Sequence, residues 1–217
     1  MAVTDKTIVL ITGANQGIGA AAATRLAKEH NYHLDLTSDS SIAAATTYLT
    51  STYGHLDVLI NNAGILLDGT DIPLRKLFDL TLSTNVAGPA CLTESLLPLL
   101  RCSAQRPRLI FVSSAMGSLT QSLNPSVPWY NGEYKAYDAS KAGVNILTAN
   151  YARILADKEA RVNSVCPGLV KTNLTGYTAH GHSPEVGAQR IVEMATVTGK
   201  DTDVTGTFSD KDGPIPW

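Results

Sequence analysis

Apolar residues fall into two kinds of run along this chain, and the two kinds alternate. Short runs at residues 7–11 (Thr-Ile-Val-Leu-Ile), 57–60 (Asp-Val-Leu-Ile), 108–112 (Arg-Leu-Ile-Phe-Val) and 161–166 (Arg-Val-Asn-Ser-Val-Cys) read as strands. Each is stopped at once by Gly, Asn, Ser or Pro. Between them lie stretches with helical spacing: residues 20–29, a segment capped by Ser38 or Asp39 with Ile42, Ala45, Leu49 and Tyr53 in register, a long apolar region over 71–100, residues 137–155, and residues 183–195. A last strand is expected over 204–208, and residues 115–136, rich in Pro and Gly, read as a loop. Strand and helix in alternation predict an α/β fold with a doubly wound parallel sheet, in one domain over residues 1–217.

Composition narrows this picture. Hydrophobic residues make up 44% of the chain and charged residues 17%, which suits a parallel sheet buried on both faces. A net charge of -2 and a pI near 6.2 leave no basic footprint for nucleic acid or for an acidic membrane surface. The chain enters its first strand without a leader pattern, and no apolar run nears the ~18 residues of a membrane span, so the expectation is a soluble, cytoplasmic protein. The three cysteines, Cys91, Cys102 and Cys166, have neither ligand spacing nor an even count and are read as reduced and packed. No third ligand joins His180 and His182, so no metal is expected.

Two stretches carry chemistry. Thr12-Gly13-Ala14-Asn15-Gln16-Gly17-Ile18-Gly19 sits between the first strand and the first helix. Glycines there let the backbone approach a ligand, and a helix N-terminus offers free N–H groups to a pyrophosphate. The second stretch is Tyr137-Asp138-Ala139-Ser140-Lys141. Four positions apart on a helix, Tyr137 and Lys141 share one face. A positive charge beside a phenol favours the phenolate and fits it for general acid/base work. Taken singly, the glycines also read as a tight turn and the pair as a solvated surface pair.

Together with Asn61-Asn62-Ala63-Gly64, Asn85, the strand end Ser113-Ser114 and Pro167-Gly168-x-Val170-x-Thr172, these motifs occur in an order and spacing that resemble the short-chain dehydrogenase/reductase superfamily over nearly the whole chain. The tail, residues 205–217, looks like that of its carbonyl-reductase-like branch. The resemblance implies a Rossmann-like fold and an NAD(P)(H)-dependent enzyme acting on a small-molecule carbonyl or alcohol. Tyr137 would be the acid/base and Ser114 a donor to the substrate carbonyl. Lys141 would lower the tyrosine pKa and hold the nicotinamide ribose, and Asn85 would anchor a water. Gly13, Asn15, Gln16, Gly17, Ile18, Gly19, Asp35, Leu36, Asn62, Ala63, Gly64, Tyr137, Lys141, Pro167, Gly168, Val170 and Thr172 would contact the cofactor. NADP(H) is expected over NAD(H) from the branch, although Gln16 stands where some relatives carry a cation. A homodimer or homotetramer is also implied, the long helices either pairing subunits or simply covering the sheet.

The chain departs from that family after the first helix. Only residues 32–36 can form a strand where two are expected, as though on the order of 30 residues of strand-helix-strand were missing. Residues 32–36 are then expected to lie beside residues 7–11 as the outer strand of a six-stranded sheet, with Asp35 displaced toward the ribose. A catalytically silent shortened relative, and an epimerase or dehydratase using the same tyrosine, remain alternatives.

Overall fold

In the computed structural model, which describes residues 7–26, 32–197 and 202–217, the short apolar runs become strands. These are β1 (Val9–Ile11), β2 (Val58–Asn61), β3 (Arg108–Val112), β4 (Arg161–Val165) and β5 (Thr207–Ser209). All neighbours pair in parallel, and the order across the sheet is the order along the chain. The helices are α1 (Gly17–Leu26), α2 (Asp39–Thr52), α3 (Leu74–Leu82), α4 (Gly88–Arg101), α5 (Leu119–Ser122), α6 (Lys135–Ile154), α7 (Pro184–Gly187) and α8 (Gln189–Thr196). Side chains alternate across the strands. Leu59, Leu109, Phe111 and Val162 face Ile42 and Leu49 of α2, Leu92 and Leu96 of α4, and Val144 and Tyr151 of α6. Val58, Ile60, Ile110, Val112 and Val165 face Ala22 of α1 and Ile191 and Met194 of α8. Helices thus cover both faces, as a doubly wound α/β sheet requires, and α1 and α2 lie on opposite ones.

The sheet has five strands among the described residues, not six, and β1 stands at its edge. Residues 32–36 are not a strand. Their apolar side chains are taken up by helices instead. Tyr32 stacks on Tyr48 of α2 with ring centroids 5.1 Å apart, Leu34 packs against the core under α2, α4 and α6, and Leu36 is buried within it. Gly88 at the start of α4 makes that burial possible, because a Cβ there would lie 2.7 Å from the Leu36 carbonyl oxygen. Gly88→Ala is therefore expected to destabilise the fold by about 1–3 kcal/mol, since neither backbone can yield. A fall in melting temperature of under ~1 °C would show that the Leu36 seat is not needed.

Beyond Leu36 the chain turns on its own polar groups. The Asp35 carboxylate accepts from the Thr37 N–H (2.9 Å) and hydroxyl (2.7 Å), and Ser38 caps α2 by accepting from the Ser41 N–H. The helix that follows buries Ile42, Ala45 and Leu49, as their spacing predicts. The long apolar region over 71–100 is not one helix. A π-helical turn, Ser83–Ala87, joins α3 to α4 and leaves Asn85 1% exposed. The loop expected over 115–136 holds a 3-10 turn, Ala115–Gly117, and the short α5. All three cysteines are free, but only Cys166 is packed. Cys91 points to the solvent side of α4 and Cys102 sits at its C-cap, so both are exposed. Among the described residues no group could hold a metal ion, and no helix is long and apolar enough to cross a membrane.

Candidate active site

The loops at the C-terminal ends of β1 to β4 meet in a cleft of about 290 Å³. Its walls include Gly13, Asn15, Gln16, Gly17, Ile18 and Gly19 after β1, and Asn62, Ala63 and Gly64 after β2. Tyr137 and Lys141 of α6, with Pro167 and Thr172 after β4, complete it. Thr12 ties the first two loops together: its hydroxyl accepts from the N–H groups of Asn62 and Ala63, each at 3.0 Å, while Asn62 Nδ2 donates to the Thr12 carbonyl at 2.9 Å. Two glycines are required by this closeness. Gly13 has φ +65° and a Cβ there would meet Ala63 Cα at 3.0 Å; a Cβ on Gly19 would run into the Gly13 carbonyl. The first turn of α1 thus opens into the cleft with its backbone unshielded, a cradle that fits the phosphate of a nicotinamide nucleotide.

At the other end lies the candidate chemistry. Lys141 is 4% exposed, donates from Nζ to the Val112 carbonyl at 2.8 Å, and stands 5.5 Å from the Tyr137 ring centroid. Burial of its ammonium pushes its pKa down to about 8. Tyr137 is buried too, and burial raises its phenol well above the usual value; the nearby Cys166 adds to that rise, while a hydrogen bond with the Ser114 side chain works against it. The lowering expected from Lys141 is therefore not what governs the phenol here: desolvation outweighs it, and the ammonium is turned to a carbonyl. The two serines differ in placement: Ser113 lines the cleft and Ser114 does not. Ser113 is 1% exposed with its hydroxyl on the Lys141 carbonyl, whereas Ser114 is half-buried and reaches Tyr137.

Asn85 acts as a clamp. Its Oδ1 accepts from the Ile65 N–H (2.8 Å), and its Nδ2 donates to the Ile65 carbonyl (2.8 Å) and to Ser140 Oγ (3.0 Å). The Ser140 hydroxyl passes on to the Tyr137 carbonyl at 2.7 Å. The loop after β2 is thus fixed to the turn of α6 that bears both Tyr137 and Lys141. Gly117 packs against the Lys141 backbone, and Asn145 donates to the Gly117 carbonyl at 3.1 Å, which holds the turn after Ser114 on the same helix. From the far end of the chain, the Pro216 carbonyl accepts from Ser118 Oγ (2.6 Å), the Trp217 carbonyl accepts from Thr120, and Trp217 stacks on Phe208.

Asp68 was not singled out by any motif. Its carboxylate accepts the N–H groups of Ala136 (3.0 Å) and Tyr137 (3.1 Å), capping α6 from a loop far away in sequence. It also faces Asp138, whose carboxyl is raised to about 6, first by burial and then by Asp68. Asp138 Oδ1 is buried with no hydrogen-bond partner. Because the folded-state pKa lies above the ordinary 3.8, the folded protein holds a proton that the unfolded chain releases between pH 3.8 and about 6, so this group costs stability as pH rises through that window. Asp138→Asn should raise stability at pH 7 by ~1 kcal/mol and flatten that decline. Equal melting temperatures for the two proteins at pH 4 and at pH 7 would contradict it.

Not every candidate reaches the cleft. Asp35, Leu36, Asn85 and Ser114 are outside its lining: Asp35 Oδ1 is engaged by Thr37, Leu36 lies beneath Gly88, and Asn85 and Ser114 stand behind the turn that bears Tyr137. Gly168 and Val170 flank it rather than line it, Val170 being packed on Gly187. Ile65, Thr84, Asn173 and Leu174 do line it. Ile65, Thr84 and Asn173 are next to singled-out residues, and that adjacency is the only signal the sequence offers for them.

Comparison with known proteins agrees with the architecture. The short chain dehydrogenase family profile matches residues 29–182. The short-chain dehydrogenase anuI of Penicillium roqueforti is 32% identical, over 99% of this chain and 98% of its own length. That alignment spans 254 positions against 217 residues here, so at least 37 of them are gaps in this chain. Carbonyl reductase [NADPH] 1 of Sus scrofa is 27% identical over 97% of this chain and 94% of its own. The NADPH-bound carbonyl reductase from chicken fatty liver superposes with a TM-score of 0.83 at 24% identity, over 97% of this chain and 98% of that one, a likeness of fold. With the family profile laid over most of its length and a relative aligned along all but a few of its residues, the chain belongs to the short-chain dehydrogenase family.

Proposed function

We propose that this chain is an NAD(P)(H)-dependent oxidoreductase that interconverts a ketone or aldehyde and its alcohol. The observation that carries the reading is the meeting of Tyr137 and Lys141 at the end of the cleft that begins at the glycine turn, with the Ser114 side chain hydrogen-bonded to Tyr137. A bound nicotinamide supplies or accepts the hydride. Everything else falls to the chain. Ser114 and the Tyr137 hydroxyl donate to the substrate oxygen, and Tyr137 gives up its proton as negative charge develops there. A phenol held protonated by burial suits that direction, since an alkoxide is far more basic than it is. Lys141 holds the nicotinamide ribose, Gly13 to Gly19 the phosphate, and Pro167 and Thr172 the carboxamide end. Asn85 positions the Tyr137 turn of α6 through Ser140. NADP(H) is the expected cofactor, since the Sus scrofa relative is a carbonyl reductase [NADPH] and the chicken structure holds NADPH. A cytoplasmic homodimer or homotetramer belongs to the same reading.

Titration of the purified protein into NADPH and NADH, followed by nicotinamide fluorescence, should give saturable binding. Addition of a panel of aromatic and aliphatic ketones and aldehydes should then oxidise the bound nucleotide. Binding without oxidation by any of them would move the assignment to non-redox proton transfer, and absence of binding would remove it.

A further inference from the structure

In a doubly wound sheet a dinucleotide lies across the C-terminal strand ends at the point where strand order reverses, with half of the molecule on each side. No such reversal is present among the described residues of this chain. β1 is the edge, and β2 to β5 all lie to one side of it. The cleft follows suit. It runs from the glycine turn toward Lys141 and Thr172. On the side where a second half-site would lie, neither Asp35 nor Leu36 lines the cleft: Asp35 Oδ1 accepts from Thr37, and Leu36 is seated against Gly88. Lys141 is the one charged side chain among the lining residues. Among the described residues, the lining thus offers no carboxylate for a ribose 2′-hydroxyl and no second cation for a 2′-phosphate.

Building on the proposed oxidoreductase activity, we infer that the chain grips its cofactor through the nicotinamide mononucleotide half alone, so that reduced nicotinamide mononucleotide serves as hydride donor about as well as NADH or NADPH. That molecule carries every group the cleft can address: the carboxamide, the ribose and one phosphate. The chemistry balances without the adenosine. The carbonyl carbon takes the hydride from C4 of the reduced ring, which is left as the oxidised pyridinium, and the carbonyl oxygen takes the Tyr137 proton. Adenosine remains an unheld appendage, and the 2′-phosphate that separates the two dinucleotides goes unread.

The test is a set of dissociation constants, read from nicotinamide fluorescence, for reduced nicotinamide mononucleotide, NADH and NADPH on the intact protein. The three should agree within about tenfold, and kcat/KM with one shared ketone should follow the same order. Adenosine 2′,5′-bisphosphate and inorganic pyrophosphate should displace bound NADPH equally weakly. A dinucleotide held more than ~100-fold tighter than the mononucleotide, or displacement by the bisphosphate at far lower concentration than by pyrophosphate, overturns the inference and leaves the oxidoreductase reading standing. If none of the three binds, both fall together.

Discussion

Tyr137→Phe is expected to lower kcat at least ~100-fold while leaving the nucleotide dissociation constant within about twofold of wild type. The phenyl ring fills the same buried space, and the backbone N–H that Asp68 accepts is unchanged. Only the hydroxyl is lost, and with it the partner of Ser114 and the proton for the substrate oxygen. Loss of a single transition-state donor in a desolvated site ordinarily costs about 3–4 kcal/mol of barrier lowering. Turnover close to wild type on a ketone substrate would remove Tyr137 from the mechanism. A large loss of nucleotide affinity would instead mean that the hydroxyl, too, holds the cofactor.

What the sequence discloses depends on how local each feature is. The Tyr137 and Lys141 pair is legible because four residues of helix suffice to bring the two side chains to one face. Gly13 and Gly19 are legible for the same reason, being consecutive parts of one turn. Residues 32–36 misled because Tyr32, Leu34 and Leu36 alternate with polar residues as a half-buried strand does. Alternation states that one side of the segment is buried, but not against what. The burying surface turned out to be α2 and α4, brought within reach by Gly88. The π-helical turn at Asn85 is invisible in an apolar stretch that satisfies helical periodicity on either side of it. Asp68 is invisible for the opposite reason: its partners are 68 and 69 positions away. The depth of the site is equally non-local. Helical spacing places a cation near a phenol, but only the packed structure reveals that both are desolvated enough for burial to outweigh their attraction.

Lys141→Met is expected to abolish turnover, by more than ~100-fold, and yet to stabilise the nucleotide-free protein at neutral pH. The ammonium is 4% exposed, and its pKa falls from 10.5 to about 8 through burial. At ~1.4 kcal/mol for each unit, the charged form costs the fold about 3–4 kcal/mol. Methionine removes that cost but orphans the Val112 carbonyl, which returns ~1 kcal/mol or more of it. The sign with pH follows from the depressed value. Below pH 8 both folded and unfolded chains carry the proton, and the fold bears the full penalty. Between pH 8 and 10.5 the folded state has given up a proton that the unfolded chain keeps, so wild-type stability rises across that window. Thermal melts at pH 7 and pH 10 should therefore show the variant ahead at the first and the difference shrinking at the second. A variant less stable than wild type by the same margin at both would mean that the Val112 hydrogen bond outweighs the buried charge.

Strand order that copies chain order also bears on how the protein is made. Each strand pairs with the one synthesised just before it, about fifty residues earlier in every case. No strand must wait for a partner on its far side, as the first strand of a two-sided sheet must. On a ribosome that adds ~5–20 residues per second, β2 can dock on β1 before β3 has been made, and each later strand finds a finished edge as it emerges. Growth from one end keeps the sequence separation of its contacts low for a parallel sheet, the property that speeds folding. Translation stalled after residue 160, with β3 clear of the exit tunnel, should then already carry a protease-resistant β1-β2-β3 core.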